Sequence, residues 1–165
     1  MMQRIDISQL EFNPFTVIGE ENFLLTAGVA SDWNTMTAGW GGLGYVWNAP
    51  AAFVFVRKER YTLSFMERSD LFSLSFFPPD KKGVLDFCGS VSGRDTDKTK
   101  GAGITPIQID GAIAFEEANL VITCKKLSES VIDSAAIIDE SVKRLYPQED
   151  WHRMFIGRIL GVYIN

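Results

Sequence analysis

Ala51-Ala52-Phe53-Val54-Phe55-Val56-Arg57-Lys58-Glu59-Arg60-Tyr61-Thr62 is an apolar run that breaks abruptly into charge. Aromatic and β-branched residues in its first half fit a strand, and the lack of a polar position predicts one covered on both faces, running through the core. The charged tetrapeptide then reads as a turn. After it, residues 61–69 (YTLSFMERS) set Leu63 and Met66 three apart, predicting a short helix with Thr62 as candidate N-cap. Working outward, residues 23–30, 36–41, 71–77, 111–115, 119–126 and 154–164 are rich in aliphatic and aromatic residues between turn formers and read as strands. Two further helices are expected: 80–88, opened by prolines and stopped by Gly89, and 139–145, capped by Asp139 and halted before Pro147. Many strands with a few inserted helices, and no strict βαβ alternation, predict a mainly β, mostly antiparallel barrel or sandwich.

The chain has 165 residues, enough for one domain spanning 1–165 with a sizeable core. At 46% apolar and 22% charged residues, the balance is that of a globular chain and excludes disorder as the main state. No apolar run approaches the roughly 18 residues a membrane-spanning helix needs, so no membrane crossing is expected. A net charge of −5 offers no long-range attraction to a polyanion, which argues against nucleic-acid partners. Cys88 and Cys124 lie in different predicted elements without metal-like spacing and are expected to be reduced. The single histidine, His152, rules out two- or three-histidine metal sites within one chain. The charged N-terminus lacks the apolar stretch of a secretory peptide, so a cytoplasmic location is the expectation.

Three segments carry candidate chemistry. In Arg57-Lys58-Glu59-Arg60-Tyr61-Thr62, two guanidinium groups precede a helix start whose first N–H groups lack partners, an anion site in outline suited to phosphate. A solvated turn with Glu59 paired to a neighbouring base has the same composition, and the hexapeptide alone does not separate the two. Asn34-Thr35-Met36-Thr37-Ala38-Gly39-Trp40-Gly41-Gly42 mixes amide and hydroxyl groups with glycines and apolar Met36 and Trp40, as a pocket for a heteroaromatic ring would. It is equally what a hairpin turn at Asn34-Thr35 followed by a glycine bulge would show. Cys88-Gly89-Ser90-Val91-Ser92-Gly93-Arg94-Asp95-Thr96-Asp97-Lys98 is small, hydroxyl-bearing and then cationic; taken alone it reads as a polar loop. Neither GxxxxGK[ST] nor GxGxxG is present, which argues against P-loop and Rossmann sites.

Taken together, LLTAG (24–28), NTMTAGWGGLG (34–44), FVFVRKERYT (53–62), LSFFP (74–78), CGSVSGRDTDK (88–98) and HRMFIG (152–157) resemble the flavin reductase-like family, in its flavoredoxin-type branch, over nearly the whole chain. The resemblance implies an FMN-binding split β-barrel. It places Asn34, Thr35, Met36 and Thr37 against the flavin ring system, Arg57, Arg60, Tyr61 and Thr62 at the ribityl phosphate, and Ser90, Ser92 and Lys98 beside them. A cation such as Lys98 near the ring would stabilise reduced, anionic flavin. His152 is implied near the flavin edge, where it would bond a nicotinamide carboxamide or supply a proton. The chain departs from its relatives at Thr99, where an aromatic is common.

The activity implied is NAD(P)H-dependent flavin reduction, with NADH or NADPH as donor and FMN as cofactor, the protein mainly aligning the reactants. The alternative is a flavoredoxin-like electron-transfer protein that holds FMN and exchanges electrons with a redox protein partner. A third possibility is a carrier of FMN without redox activity. The resemblance also implies a homodimer in which the neighbouring chain completes each pocket.

Overall fold

The computed structural model describes residues 2–165. In chain order its elements are β1 (Gln3–Ile5), α1 (Pro14–Val17), β2 (Phe23–Val29), β3 (Asp32–Ala38), β4 (Gly41–Val46), β5 (Ala49–Arg57), α2 (Thr62–Arg68) and β6 (Leu71–Phe76). There follow α3 (Lys82–Ser90), α4 (Lys98–Ala102), β7 (Pro106–Ile109), β8 (Ala112–Phe115), β9 (Leu120–Val131), α5 (Glu140–Lys143) and β10 (His152–Ile164). The fold is mainly β with inserted helices, and its strand pairs are antiparallel.

The main sheet runs β3-β2-β6-β9-β10-β5-β4, with β1 added to β10, while β7 and β8 form a separate hairpin. Strands β3 and β4 stand at opposite ends of this order, yet only Gly39 and Trp40 connect them. Three Cα steps reach at most about 11 Å, so the two ends of the sheet are drawn together there. The sheet is therefore a barrel curled almost shut and left split between β3 and β4. Trp40 sits in the bridge across the split.

Two apolar cores result. One gathers Phe23, Leu25, Met36, Val54, Phe65, Phe72 and Phe155; the other gathers Leu24, Leu85, Cys88, Phe115, Val121 and Tyr163, where α3 and the β7–β8 hairpin cover the sheet. Adjacent residues Leu24 and Leu25 thus enter different cores, as the two-residue period of a strand requires. Each such fully buried side chain contributes about 1.5–3 kcal/mol relative to exposure. At Gly157 in β10 a Cβ would lie 2.4 Å from the Phe72 ring, so only glycine lets that ring cross the strand. Overpacking of this kind costs about 1–3 kcal/mol.

Several local expectations are corrected. The strand buried on both faces is β2; in β5, Phe53 and Phe55 are half-exposed and alternate with buried Val54 and Val56. The reason is position, since β5 lies next to the edge strand β4 while β2 lies under α2 and β8. Asn34 and Thr35 are not a turn but the middle of β3, the reversal falling at residues 30–31. Gly89 does not end α3, which continues to Ser90; a Cβ at Gly89 would press on Thr37 at 3.3 Å, so the glycine permits helix-to-strand contact. Thr62 is not the cap of α2 but its first residue, because its hydroxyl is taken by the Asn34 side chain instead. Asp139 does cap α5, accepting from the Ser141 N–H, and both cysteines are free and buried.

Candidate functional site

Two adjoining chambers lie along the barrel split, sharing Met36 and Arg60 as common wall. The first, about 270 Å³, is bounded by β3, the β5–α2 turn and the segment from the end of α3 to the start of α4. Asn34 Nδ2 donates to Thr62 Oγ1 at 2.8 Å across it, fixing strand to helix. Lys98 is almost fully buried, and its Nζ donates to the carbonyls of Thr35 and Cys88, both at 2.8 Å. One ammonium therefore ties β3, α3 and α4 together. Burial lowers the Lys98 pKa; the Cys88 thiol opposes that shift and the Arg60 guanidinium adds to it. Asp97, next in sequence, accepts from the N–H groups of Thr99 and Lys100 and so fixes the start of α4 that aims Lys98 inward.

The far wall of this chamber holds Tyr61, Ser90, Ser92, Gly93 and Arg94. The Arg94 guanidinium lies 4.6 Å over the Tyr61 ring, a cation–π contact that the sequence did not mark. At Gly93 a Cβ would fall 2.0 Å from Asn34 Oδ1, so the loop can approach the strand only with glycine there. Ser90 Oγ donates to the Phe87 carbonyl, and Ser92 Oγ accepts from the Arg94 N–H.

The second chamber, about 360 Å³, is lined by Thr37, Ala38, Gly39, Trp40, Phe55, Arg57 and His152 besides the shared pair. Strand pairing places His152 of β10 directly opposite Arg57 of β5. Trp40 lies against the imidazole, ring centroids 4.6 Å apart. On its other side His152 Nδ1 is 2.8 Å from the Tyr146 hydroxyl. Arg57 donates to Asp150 Oδ2 at 2.5 Å and to the Leu145 carbonyl, with its guanidinium 5.1 Å over the Tyr146 ring. Lys58 reaches the Glu149 carbonyl at 3.0 Å. Residues 145–150 are thus drawn onto the barrel rim by the charged end of β5. Burial, with the nearby Arg57 and Arg60 charges, pushes the His152 pKa down to about 4 against the pull of Asp150, so the ring is neutral at pH 7. Burial is the largest single influence on the Asp150 carboxyl and would raise it, but the Arg57 hydrogen bond, the residue's own backbone N–H and the Arg57 and Lys58 charges together hold the group below the usual range.

Of the residues singled out in the sequence, Asn34, Met36, Arg60, Tyr61, Thr62, Ser90, Ser92 and Lys98 are brought together in the first chamber. Thr37, Arg57 and His152 are in the second, with Thr37 Oγ1 donating to the Leu85 carbonyl. Thr35 lines neither: its hydroxyl pairs with Thr26 at 2.8 Å on the opposite face of β3. Arg57 and Arg60 do not form a pair. Arg57 is engaged by Asp150, whereas the Arg60 side chain has no hydrogen-bond or ion-pair partner among the described residues and faces both chambers. Sequence reasoning missed Tyr146, Asp150 and Arg94. A larger cavity of about 470 Å³ beside β1 contains none of these groups, and its own cation, Arg4, is bonded to the Leu160 carbonyl. Among the described residues no cluster of His, Cys, Asp or Glu suits a metal ion, and no helix is long and apolar enough to cross a membrane.

Residues 18–165 match the family described as flavin reductase like domain. No curated protein sequence matches the chain. Among solved structures, it is similar to an FMN-binding domain of a flavin reductases-like enzyme from Shewanella baltica OS155, with 18% identity and a TM-score of 0.69 over 99% of this chain and 77% of that one. It is likewise similar to the flavoredoxin of Desulfovibrio vulgaris (Miyazaki F), with 23% identity and a TM-score of 0.68 over 87% and 69% of the two chains. For the flavoredoxin from Methanosarcina acetivorans the values are 23% and 0.69, over 99% and 76%. The split barrel is therefore shared, and the match over most of the chain assigns this protein to the flavin reductase-like family.

Proposed function

We propose that the chain binds FMN across the two chambers and works as an NAD(P)H-dependent flavin oxidoreductase. The observation that carries this reading is Arg60: a guanidinium without a partner among the described residues, at the junction of a hydroxyl-lined chamber and an aromatic one. An uncommitted Arg is suited to a phosphate, to which it can give two parallel charge-assisted bonds. The other groups fit the remainder of the cofactor. Asn34, Thr62, Ser90 and Ser92 offer amide and hydroxyl groups for a polyol chain, and Met36 offers apolar contact to a ring. In this reading Arg60 takes the phosphate, and Arg57, already held by Asp150, stands behind it in the second chamber.

Bound FMN would supply a ring system able to accept a hydride and pass its electrons on. The chain's own contribution is placement and charge. Lys98 has donated two of its three N–H groups to carbonyls and keeps a third for the chamber, where its charge would favour an electron-rich ring. In this reading His152, neutral and flanked by Trp40, would hold a nicotinamide carboxamide, a role supported by its position in the wall of the second chamber. A homodimer is part of the same proposal, supported by Tyr45 and Trp47, which are exposed on and just beyond the edge strand β4.

The test is direct. FMN added to the purified chain is expected to lose fluorescence on binding, and the complex is expected to bleach anaerobically with NADH or NADPH. Bleaching only by a protein donor or dithionite would favour the flavoredoxin-like role, and a chain that leaves FMN fluorescence unchanged would overturn the flavin reading.

A further inference from the structure

His152 is the only histidine in the chain, and its surroundings are more specific than packing requires. One face meets Trp40 at a tilt of 33°, and the Tyr146 ring meets its edge at 5.5 Å and 83°. Tyr146 is itself buried and immobilised, stacked on Trp151 at 4.2 Å with the Arg57 guanidinium over it. The hydroxyl of this clamped ring sits 2.8 Å from His152 Nδ1. That leaves Nε2, with no hydrogen-bond partner among the described residues, as the polar ring atom available to the chamber that His152 lines.

In a neutral imidazole one nitrogen donates and the other accepts, so the bond at Nδ1 decides what Nε2 does. A phenol is a good donor and a poor acceptor, whereas an unprotonated imidazole nitrogen is a good acceptor. The favoured arrangement is Tyr146 O–H donating to Nδ1. We infer that Tyr146 is a positioning residue that holds His152 with its proton on Nε2, so that the second chamber presents an N–H donor and takes a flat ligand with a hydrogen-bond acceptor, a carbonyl or carboxylate oxygen, at that point. The charges around the imidazole agree: Arg57 from β5 and Arg60 from the β5–α2 turn are cationic and face the chamber, while the one nearby carboxylate, Asp150, is turned to Arg57. Burial keeps the Tyr146 phenol protonated by raising its pKa, so its donor role persists at neutral pH. Trp40, Phe55 and Met36 supply the apolar walls for a flat ligand.

The inference concerns the second chamber of the proposed flavin site, and its test does not depend on flavin. A single histidine gives an unambiguous long-range ¹H–¹⁵N spectrum of the labelled full chain. At pH 7 the pattern of an Nε2–H tautomer is expected, and Tyr146→Phe, which keeps the ring stacked on Trp151, should yield a mixture of tautomers. Benzoate is the ligand probe: it should shift the Nε2 signal of the wild-type chain. If half the variant molecules present the wrong tautomer, its affinity should fall about twofold, by the competent fraction alone. The arginines are common to both chains, so the difference isolates the tautomer. An Nδ1–H pattern in the wild-type chain, an identical spectrum in Tyr146→Phe, or an Nε2 signal indifferent to benzoate would overturn the inference; the wild-type spectrum decides even if the variant fails to fold. A chain that ignores FMN yet shows Nε2–H would sink the flavin reading and leave this one standing.

Discussion

The two chambers share a wall but are held together differently. The first is bounded by β3, the β5–α2 turn and the segment from the end of α3 to the start of α4, joined by Asn34 to Thr62 and by Lys98 to two carbonyls. The second is lined by β3, the Gly39-Trp40 bridge, Arg60 and facing residues of β5 and β10, and two of its lining residues, Arg57 and His152, are backed by residues 145–150, an irregular stretch that Lys58 also holds. In one, a single buried cation fixes three elements; in the other, several contacts each hold part of one segment. The contrast teaches that the first chamber stands or falls with few residues, whereas the second has its restraint distributed.

The largest expected effect tests that contrast at Lys98. Lys98→Met removes the partner of two carbonyls, and leaving buried polar groups unpaired costs about 1–3 kcal/mol each. A loss of about 2 kcal/mol or more in urea unfolding is expected, together with a lower FMN midpoint potential in the loaded protein. A wild-type urea midpoint would show that the first chamber does not hang on this cation. Next in size is Arg60→Gln. Since Arg60 makes no internal ion pair among the described residues, stability should change by less than about 0.5 kcal/mol. FMN affinity should fall about tenfold to a hundredfold, the worth of a charge-assisted bond. The reverse pattern, lost stability with intact affinity, would make Arg60 a structural group.

The smallest effect belongs to the second chamber. The His152 pKa is depressed from 6.5 to about 4 in the folded chain, so between those values the unfolded chain binds more protons. Stability from keeping the ring neutral is thus fully present above about pH 6.5 and is lost as pH falls toward 4. Unfolding free energy followed from pH 7 to 5 should decline in the wild-type chain and flatten in His152→Gln. With no other histidine present, equal slopes in the two chains would mean that the imidazole is not desolvated.

What the sequence made legible follows the same division. The strand before Arg57, the helix after Tyr61 and the cap at Asp139 are local patterns, written within a few residues of one another. Most of the first chamber was marked through the family resemblance, because its amide, hydroxyl and cationic residues taken alone read equally as turns or a polar loop. Tyr146 and Asp150 carried no such signal, because their meaning lies in contact with Arg57, 93 positions from Asp150 along the chain. The Gly-rich strand β4 was missed for a related reason: Gly41, Gly42 and Gly44 have poor strand propensity, and pairing with β5 imposes the conformation. Thr35 shows the limit of reading by adjacency, since in a strand alternate residues face opposite ways and its hydroxyl belongs to Thr26.

The fastening made by Lys98 has a consequence for motion. Because one ammonium links the β3 backbone, the end of α3 and the start of α4, these pieces cannot loosen in turn. Amide hydrogen exchange across the three should follow one common opening event, and a cofactor would enter or leave on that same clock.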